Sequence, residues 1–289
     1  MLNKIIPTTF WKYSVCLLNV LLVLSILPIS SHAREAQSIN FYLPFHSKQF
    51  PTLASRLQEA LNTQGLTNIN VVTANYWQQY QQNIRRGEPG VYYAAPHFTA
   101  WAIEQHKFKP LFKVKNKLKY VIASKQTNQE IFEIRDLKNK FICTQSALNL
   151  DYLLIVDTFE KSLQTAHTHI VKSVIDEMNN PDTQCAAFSV SEHVFKQRQL
   201  SQPGHFIRLA QGKEYNNYAI TIHPSLESVY ATKLNAFLKN KNTLKILSPL
   251  FKLTSTDSIL LQTKDGDYSV NVATPLKRYW RESSISSND

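Results

Sequence analysis

His46 and His97 are the two side chains of this sequence best placed to do chemistry. Each follows a short apolar run: His46 comes after SINFYL and Pro44-Phe45, and His97 after GVYYAAP. An imidazole changes charge near neutral pH, so at such a corner it can donate to an anion, accept from a neutral ligand or bind a metal. Phe45 and Tyr93 stand beside them and offer an apolar face and a phenol. A second group lies further on, at Thr144, Ser146 and Asn149, with Ser189 and Ser191 after a later apolar run. These side chains can hold a polar ligand or cap helices, which Ser and Asn do routinely. Tyr76 and Trp77 can stack on a ring or a methyl-bearing ligand, or serve as an apolar face against a sheet. His167 and His169 are two apart and share one side of a strand, as a metal pair would. The sequence fixes no third ligand, so we read them as surface residues and expect neither metal nor cofactor.

Signatures of covalent chemistry are missing from the sequence. It contains no G-x-S-x-G, H-E-x-x-H or C-x-x-C and no phosphate-cradling glycine loop. With six glycines in 289 residues, nucleotide phosphate sites are disfavoured. The formal charge of +11 would suit nucleic acid or an anionic surface, but the lysines are scattered, which fits a solvated basic surface.

The amino-terminal residues carry an address. Lys4 and Lys12 precede an almost unbroken apolar run over 13–29, and Ser31-His32-Ala33 fits a small-x-small cleavage site. The sequence therefore predicts a cleaved secretory signal peptide over 1–33 and a periplasmic destination, which argues against nucleic-acid work. Cleavage would remove Cys16 and leave Cys143 and Cys185. In an oxidising compartment these two can pair if their strand-like runs are neighbours; otherwise they are buried thiols acting as small hydrophobes.

The elements that must position these residues alternate. Strand patterns at 38–43, 69–73 and 91–95 are separated by helical patterns at 51–62 and 76–84, and a helix follows at 99–106. Strand-like segments come next at 111–114 and 119–124, then a polar stretch at 126–133 that offers no core. The alternation restarts with strands at 140–144, 169–172 and 186–190 and helices at 148–163, 174–179 and 192–197. A strand at 218–222 and a helix opened by Pro224 return the chain to its first half, and 259–262 with 268–272 read as a hairpin about Asp265-Gly266. Two β-α-β-α-β-α units, one inserted in the other, predict two parallel-sheet lobes. The joining strands would be 119–124 and 218–222, and clefts between lobes are preferred ligand sites.

Four phrases in this order resemble the phosphonate-type (PhnD-like) substrate-binding proteins of ABC transporters: GVYYAAPHFTAWAIEQHKFKPLFKV, DLKNKFICTQ, CAAFSVSEHVFKQ and EYNNYAITIHPSL. The similarity covers roughly residues 39–251. It implies the two-lobed type II periplasmic-binding-protein fold, α/β, each lobe a mostly parallel sheet flanked by helices and joined by two hinge crossings. Lobe 1 would comprise 37–123 and 218–262, lobe 2 would be 124–217, and 263–289 would form a partly irregular extension. The implied function is capture of a small molecule, an oxyanion such as phosphonate in that group, for delivery by a monomer to an inner-membrane ABC permease. A sensory or accessory protein reporting to a membrane receptor, or a secreted enzyme, are alternatives on the same scaffold. The resemblance is imperfect where phosphonate would sit. The turn 144–151 reads TQSALNLD, without the usual glycine and most of the hydroxyls, and Asp151 repels an anion. The expected ligand-binding residues are Phe45, His46, Tyr93, His97, Thr144, Ser146 and Asn149, with no catalytic residue.

Overall fold

The computed structural model describes residues 38–45, 50–74, 76–145, 149–162, 167–255, 257–268, 276 and 280. Residues 38–289 form one unit.

The first half begins with β1 (Ile39–Leu43), α1 (Leu53–Thr63), β2 (Ile69–Thr73), α2 (Trp77–Arg86), β3 (Val91–Ala94), α3 (Pro96–His106) and β4 (Lys109–Val114). Strand β1 is buried at alternate positions, and Leu53, Leu57 and Leu61 of α1 pack into the same core as Ile39, Phe41 and Leu43. Strand β3 is buried at every position, as a central strand with cover on both faces must be. Helix α2 ends at Gly87, in the left-handed region at φ +69°; a Cβ there would also lie 2.5 Å from the His106 ring.

After β4 come β5 (Lys117–Leu118) and β6 (Tyr120–Lys125), and then the second half: β7 (Phe141–Thr144), α4 (Leu150–Ser162), β8 (His167–Ile170), α5 (Val174–Asn179), β9 (Ala187–Ser191), α6 (Glu192–Ser201) and β10 (Phe206–Gln211). The chain returns through β11 (Tyr215–Asn216) and β12 (Ala219–Ile222) to α7 (Pro224–Lys239), α8 (Lys241–Phe251) and β13 (Leu260–Gln262).

The first sheet has the order β13-β4-β12-β3-β1-β2 and the second β10-β6-β9-β7-β8. In each, three strands are parallel (β2, β1, β3 and β8, β7, β9), and an antiparallel strand flanks the third.

Residues 119–124 and 218–222, expected as crossings, lie instead inside the sheets. The crossing is the short antiparallel ribbon of β5 with β11. The reason is polarity: strands β6 and β12 are buried through their centres, whereas the ribbon segments KNKLK and GKEYNN are mostly polar. Strand β6 therefore belongs wholly to the second sheet, ahead of the boundary expected at 123/124. Polar contacts brace the ribbon. Lys117 Nζ donates to Asn216 Oδ1 at 2.8 Å, and Lys113 forms a half-buried ion pair with Asp267 at 2.6 Å.

Other differences are local. Helix α3 starts at Pro96, three residues before the expected Thr99, because proline fits the first helical position, where its missing N–H costs nothing. The polar stretch 126–133 does contribute to a core through Ile131, 1% exposed, which packs with Leu137 and Ile142. Strand β13 pairs with β4. The hairpin's other arm falls mostly outside the described residues.

Cys143 and Cys185 are joined by a disulfide, with Cα atoms 5.6 Å apart and a sequence separation of 42. It ties β7 to the residues leading into β9, its parallel neighbour. Near the carboxyl end, Leu276 and Trp280 are buried against α2 and α3, in one cluster with Tyr80, Ile84, Tyr92 and Phe98.

Candidate functional site

A cleft of about 980 Å³ separates the two sheets and is lined from both. The first half contributes Phe45 after β1, Trp77 at the start of α2, Tyr93 in β3, Tyr218 just before β12, and Leu250, Leu253 and Thr254 at the end of α8. The second half contributes Gln145, Asn149 and Asp151 at the β7–α4 corner, Ser173 to Ile175 at the start of α5, and Ser189 to Ser191 at the end of β9. Tyr120 lines it beside the crossing ribbon.

The aromatic side is ordered by ring packing. Tyr93 stacks on Tyr218 with ring centres 5.2 Å apart, and Trp77 stacks on Tyr80 at 5.5 Å. The Tyr80 hydroxyl donates to the backbone carbonyl of Tyr93 at 2.8 Å, which fixes β3 against α2. The Tyr93 hydroxyl is buried without a hydrogen-bond partner. Burial pushes the phenols of Tyr93, Tyr120 and Tyr218 well above their ordinary range; neighbouring Tyr218, Asp151 and Tyr93 push Tyr120 further, and Asp151 pushes Tyr218 further. All three are therefore neutral donors at physiological pH.

The polar side centres on Asp151, 5% exposed. Its Oδ2 accepts from the Thr144 hydroxyl at 2.5 Å and from the Gln145 amide at 3.3 Å. Its Oδ1 is buried and makes no hydrogen bond. Burial raises the pKa of this carboxyl, against the opposing pull of the Thr144 hydroxyl and the amides of Gln145, Tyr152 and Asp151 itself. A raised folded-state pKa means that the native protein takes up a proton more readily than the unfolded chain. Asp151 then imposes no cost below the unfolded carboxylate range, and it lowers stability as pH rises through and above that range. We expect Asp151→Asn to melt higher than the parent at pH 7, and the difference to vanish as pH is lowered to about 4. Differential scanning fluorimetry over that range checks it; a variant melting lower at pH 7 by an amount independent of pH would assign Asp151 a capping role only.

The expected site residues divide. Phe45, Tyr93 and Asn149 line the cleft together. His97 does not line it: its ring is fully buried in the first turn of α3, 4.1 Å from the Phe98 ring, because the helix begins before it. Thr144 is also fully buried, its hydroxyl directed to Asp151. His46 and Ser146 lie outside the described residues. Ser189 and Ser191 line the cleft but serve the scaffold, Ser189 donating to the Asp151 carbonyl at 2.8 Å and Ser191 capping α6. His167 and His169 flank the Phe141 ring, each 5.7 Å away, and among the described residues no three metal-ligating side chains come together.

Asp151, Tyr120 and Tyr218 were not expected in the site. Asp151 is seven residues from Thr144, a spacing that lets a side chain at a helix start reach back across the corner. The two tyrosines carry no such local signal, since only the position of the ribbon brings them to the cleft.

Comparison with solved structures places this arrangement. The protein XAC2383 from Xanthomonas citri, solved with chloride, superposes with a TM-score of 0.67 at 10% identity, over 84% of this chain and 98% of that one. PhnD1 from Prochlorococcus marinus, in complex with methylphosphonate, gives 0.63 at 12% identity, over 83% and 97%. A binding-protein component of an ABC phosphonate transporter from Pseudomonas aeruginosa gives 0.59 at 11%, over 88% and 89%. This is the type II periplasmic-binding-protein fold. The periplasmic aliphatic sulphonate-binding protein SsuA from Escherichia coli shares it more loosely, at a TM-score of 0.52. No family model matches the chain, and no curated protein matches it in sequence. At these identities the binding-protein fold is what is shared. Among the described residues, no helix of this binding-protein fold is long and apolar enough to cross a membrane.

Proposed function

We propose that this chain is a secreted solute-binding protein that captures a small molecule between its lobes and delivers it, as a periplasmic monomer, to an inner-membrane ABC permease. The observation that carries the reading is the cleft itself, which takes its walls from both sheets around a crossing of two residues per strand. A ligand touching both walls favours the closed arrangement over the open one, and this needs no covalent step. Solved proteins of this fold, one in complex with methylphosphonate, one a component of an ABC phosphonate transporter and one an aliphatic sulphonate binding protein, support it by analogy.

The test is small-angle scattering of the purified mature protein with and without an extract of small metabolites, followed by native mass spectrometry of the complex. We expect a smaller radius of gyration with the extract and a co-purified mass below about 1,000 Da, the size a cleft of this kind encloses. An unchanged radius together with no retained mass would end the capture reading.

A further inference from the structure

The chemistry of the cleft does not suit an oxyanion. Two donors at the β7–α4 corner that could face an anion, the Thr144 hydroxyl and the Gln145 amide, already serve Asp151 Oδ2. The carboxylate thus fills, from within the chain, the place at a helix start where an external anion would gain most. Among the described residues lining the cleft, Lys172 is the sole cation, and it is exposed. Among the described lining residues, an incoming phosphonate would meet the buried Asp151 carboxylate with only the exposed Lys172 to offset it.

The same features suit a cation. The second carboxylate oxygen, Oδ1, is buried without a hydrogen bond in a residue that lines the cleft, and the partnerless Tyr93 hydroxyl belongs to another such residue. Tyr120 and Tyr218 lie within electrostatic reach of Asp151 and, with Tyr93 and Trp77, line the same space with aromatic side chains. Ring faces attract cations, most strongly where water is excluded. A metal ion would need further hard ligands, and no such group of side chains is present among the described residues. A wholly neutral ligand would leave the carboxylate uncompensated. The net charge of +11 acts over the surface and is screened within about 10 Å in salt, whereas Asp151 acts at contact distance.

We infer that the cleft is specific for an organic cation, an alkylammonium group held against Asp151 Oδ1 and enclosed by Trp77, Tyr93, Tyr120 and Tyr218. This rests on the capture reading above and narrows it to one ligand chemistry.

The test uses the full mature protein and isothermal titration calorimetry. The probes are choline chloride, tetramethylammonium chloride, the neutral choline isostere 3,3-dimethylbutan-1-ol, sodium methylphosphonate and sodium chloride. We expect binding of one or both ammonium probes, and none of the neutral alcohol or of methylphosphonate. Asp151→Asn should weaken ammonium binding about 100-fold. Tyr120→Phe should keep it and Tyr120→Leu weaken it about 10-fold, a contrast that reads the ring face and stands even if Asp151→Asn fails to fold. Binding of methylphosphonate, equal binding of the neutral isostere, or full ammonium affinity in Asp151→Asn would overturn the inference. Silence of both ammonium probes while the metabolite extract still closes the lobes would overturn it too and leave capture standing; silence of both would remove capture as well.

Discussion

Replacing Cys143 and Cys185 with serine is expected to lower the melting temperature by about 10 °C and to leave cleft binding intact in the fraction that remains folded. The bond closes a loop of 42 residues that contains α4, β8 and α5. In the chain-entropy account, a loop of that length restricts the unfolded ensemble by roughly 4 kcal/mol. For a domain of this size each kcal/mol corresponds to about 2–4 °C. Both cysteines sit in the core beneath β9, with Val121, Met178 and Phe188, so the serine pair also leaves two hydroxyls in an apolar setting. The bond lies wholly within the second sheet and its cover, away from the crossing ribbon. Thermal melts with and without reductant, read beside calorimetry, check both parts. A melting temperature unmoved by the double substitution would show that the crosslink restrains a chain already ordered when unfolded.

Trp280→Ala should have a comparable effect from the opposite end of the molecule. The indole is 5% exposed, stands edge-on to Trp101 at 4.6 Å and stacks over Phe98 at 5.8 Å. Arg85 donates to its backbone carbonyl at 2.8 Å. Emptying that volume removes transfer energy and leaves a cavity, together about 3–5 kcal/mol. The expected loss is again near 10 °C, with Trp280→Phe recovering about half. Phe98 also packs on Trp77, which lines the cleft, so the alanine variant should weaken ligand binding while the phenylalanine variant does not. Equal melting of the alanine variant and the parent would mean that the carboxyl-terminal segment merely rests on the lobe.

Much of the scaffold is legible in the sequence because its elements are local. Periodicity, Gly65 after α1 and Pro224 at the start of α7 mark β1 to α3 and α7 with small errors at the ends. Strand order is not legible. The sequence returns 218–222 to the first half but does not say that β12 lies between β3 and β4, some 105 to 130 residues earlier in the chain. The site follows the same division. Phe45, Tyr93 and Asn149, expected at loops on the carboxyl side of the parallel strands, do line the cleft. His97 was misplaced by three residues of helix start. Tyr120 and Tyr218 could not be found until the ribbon was located, and Asp151 was legible as a charge that opposes anions but not as a buried one.

The position of β12 also decides the order in which the molecule can be assembled. A chain emerging amino terminus first has every strand of the second sheet, β6 to β10, by Gln211. At that moment β3 and β4 are not joined in the sheet, because the strand that pairs with both has not yet been delivered. Nascent chains thus carry a finished second sheet beside a first sheet in which β3 has one bare edge and β4 two, the kind of surface that other chains add to. A stall in synthesis before residue 219 would leave that aggregation-prone form; β12 then joins β3 to β4, and the outer edge of β4 is covered only when β13 follows at 260–262.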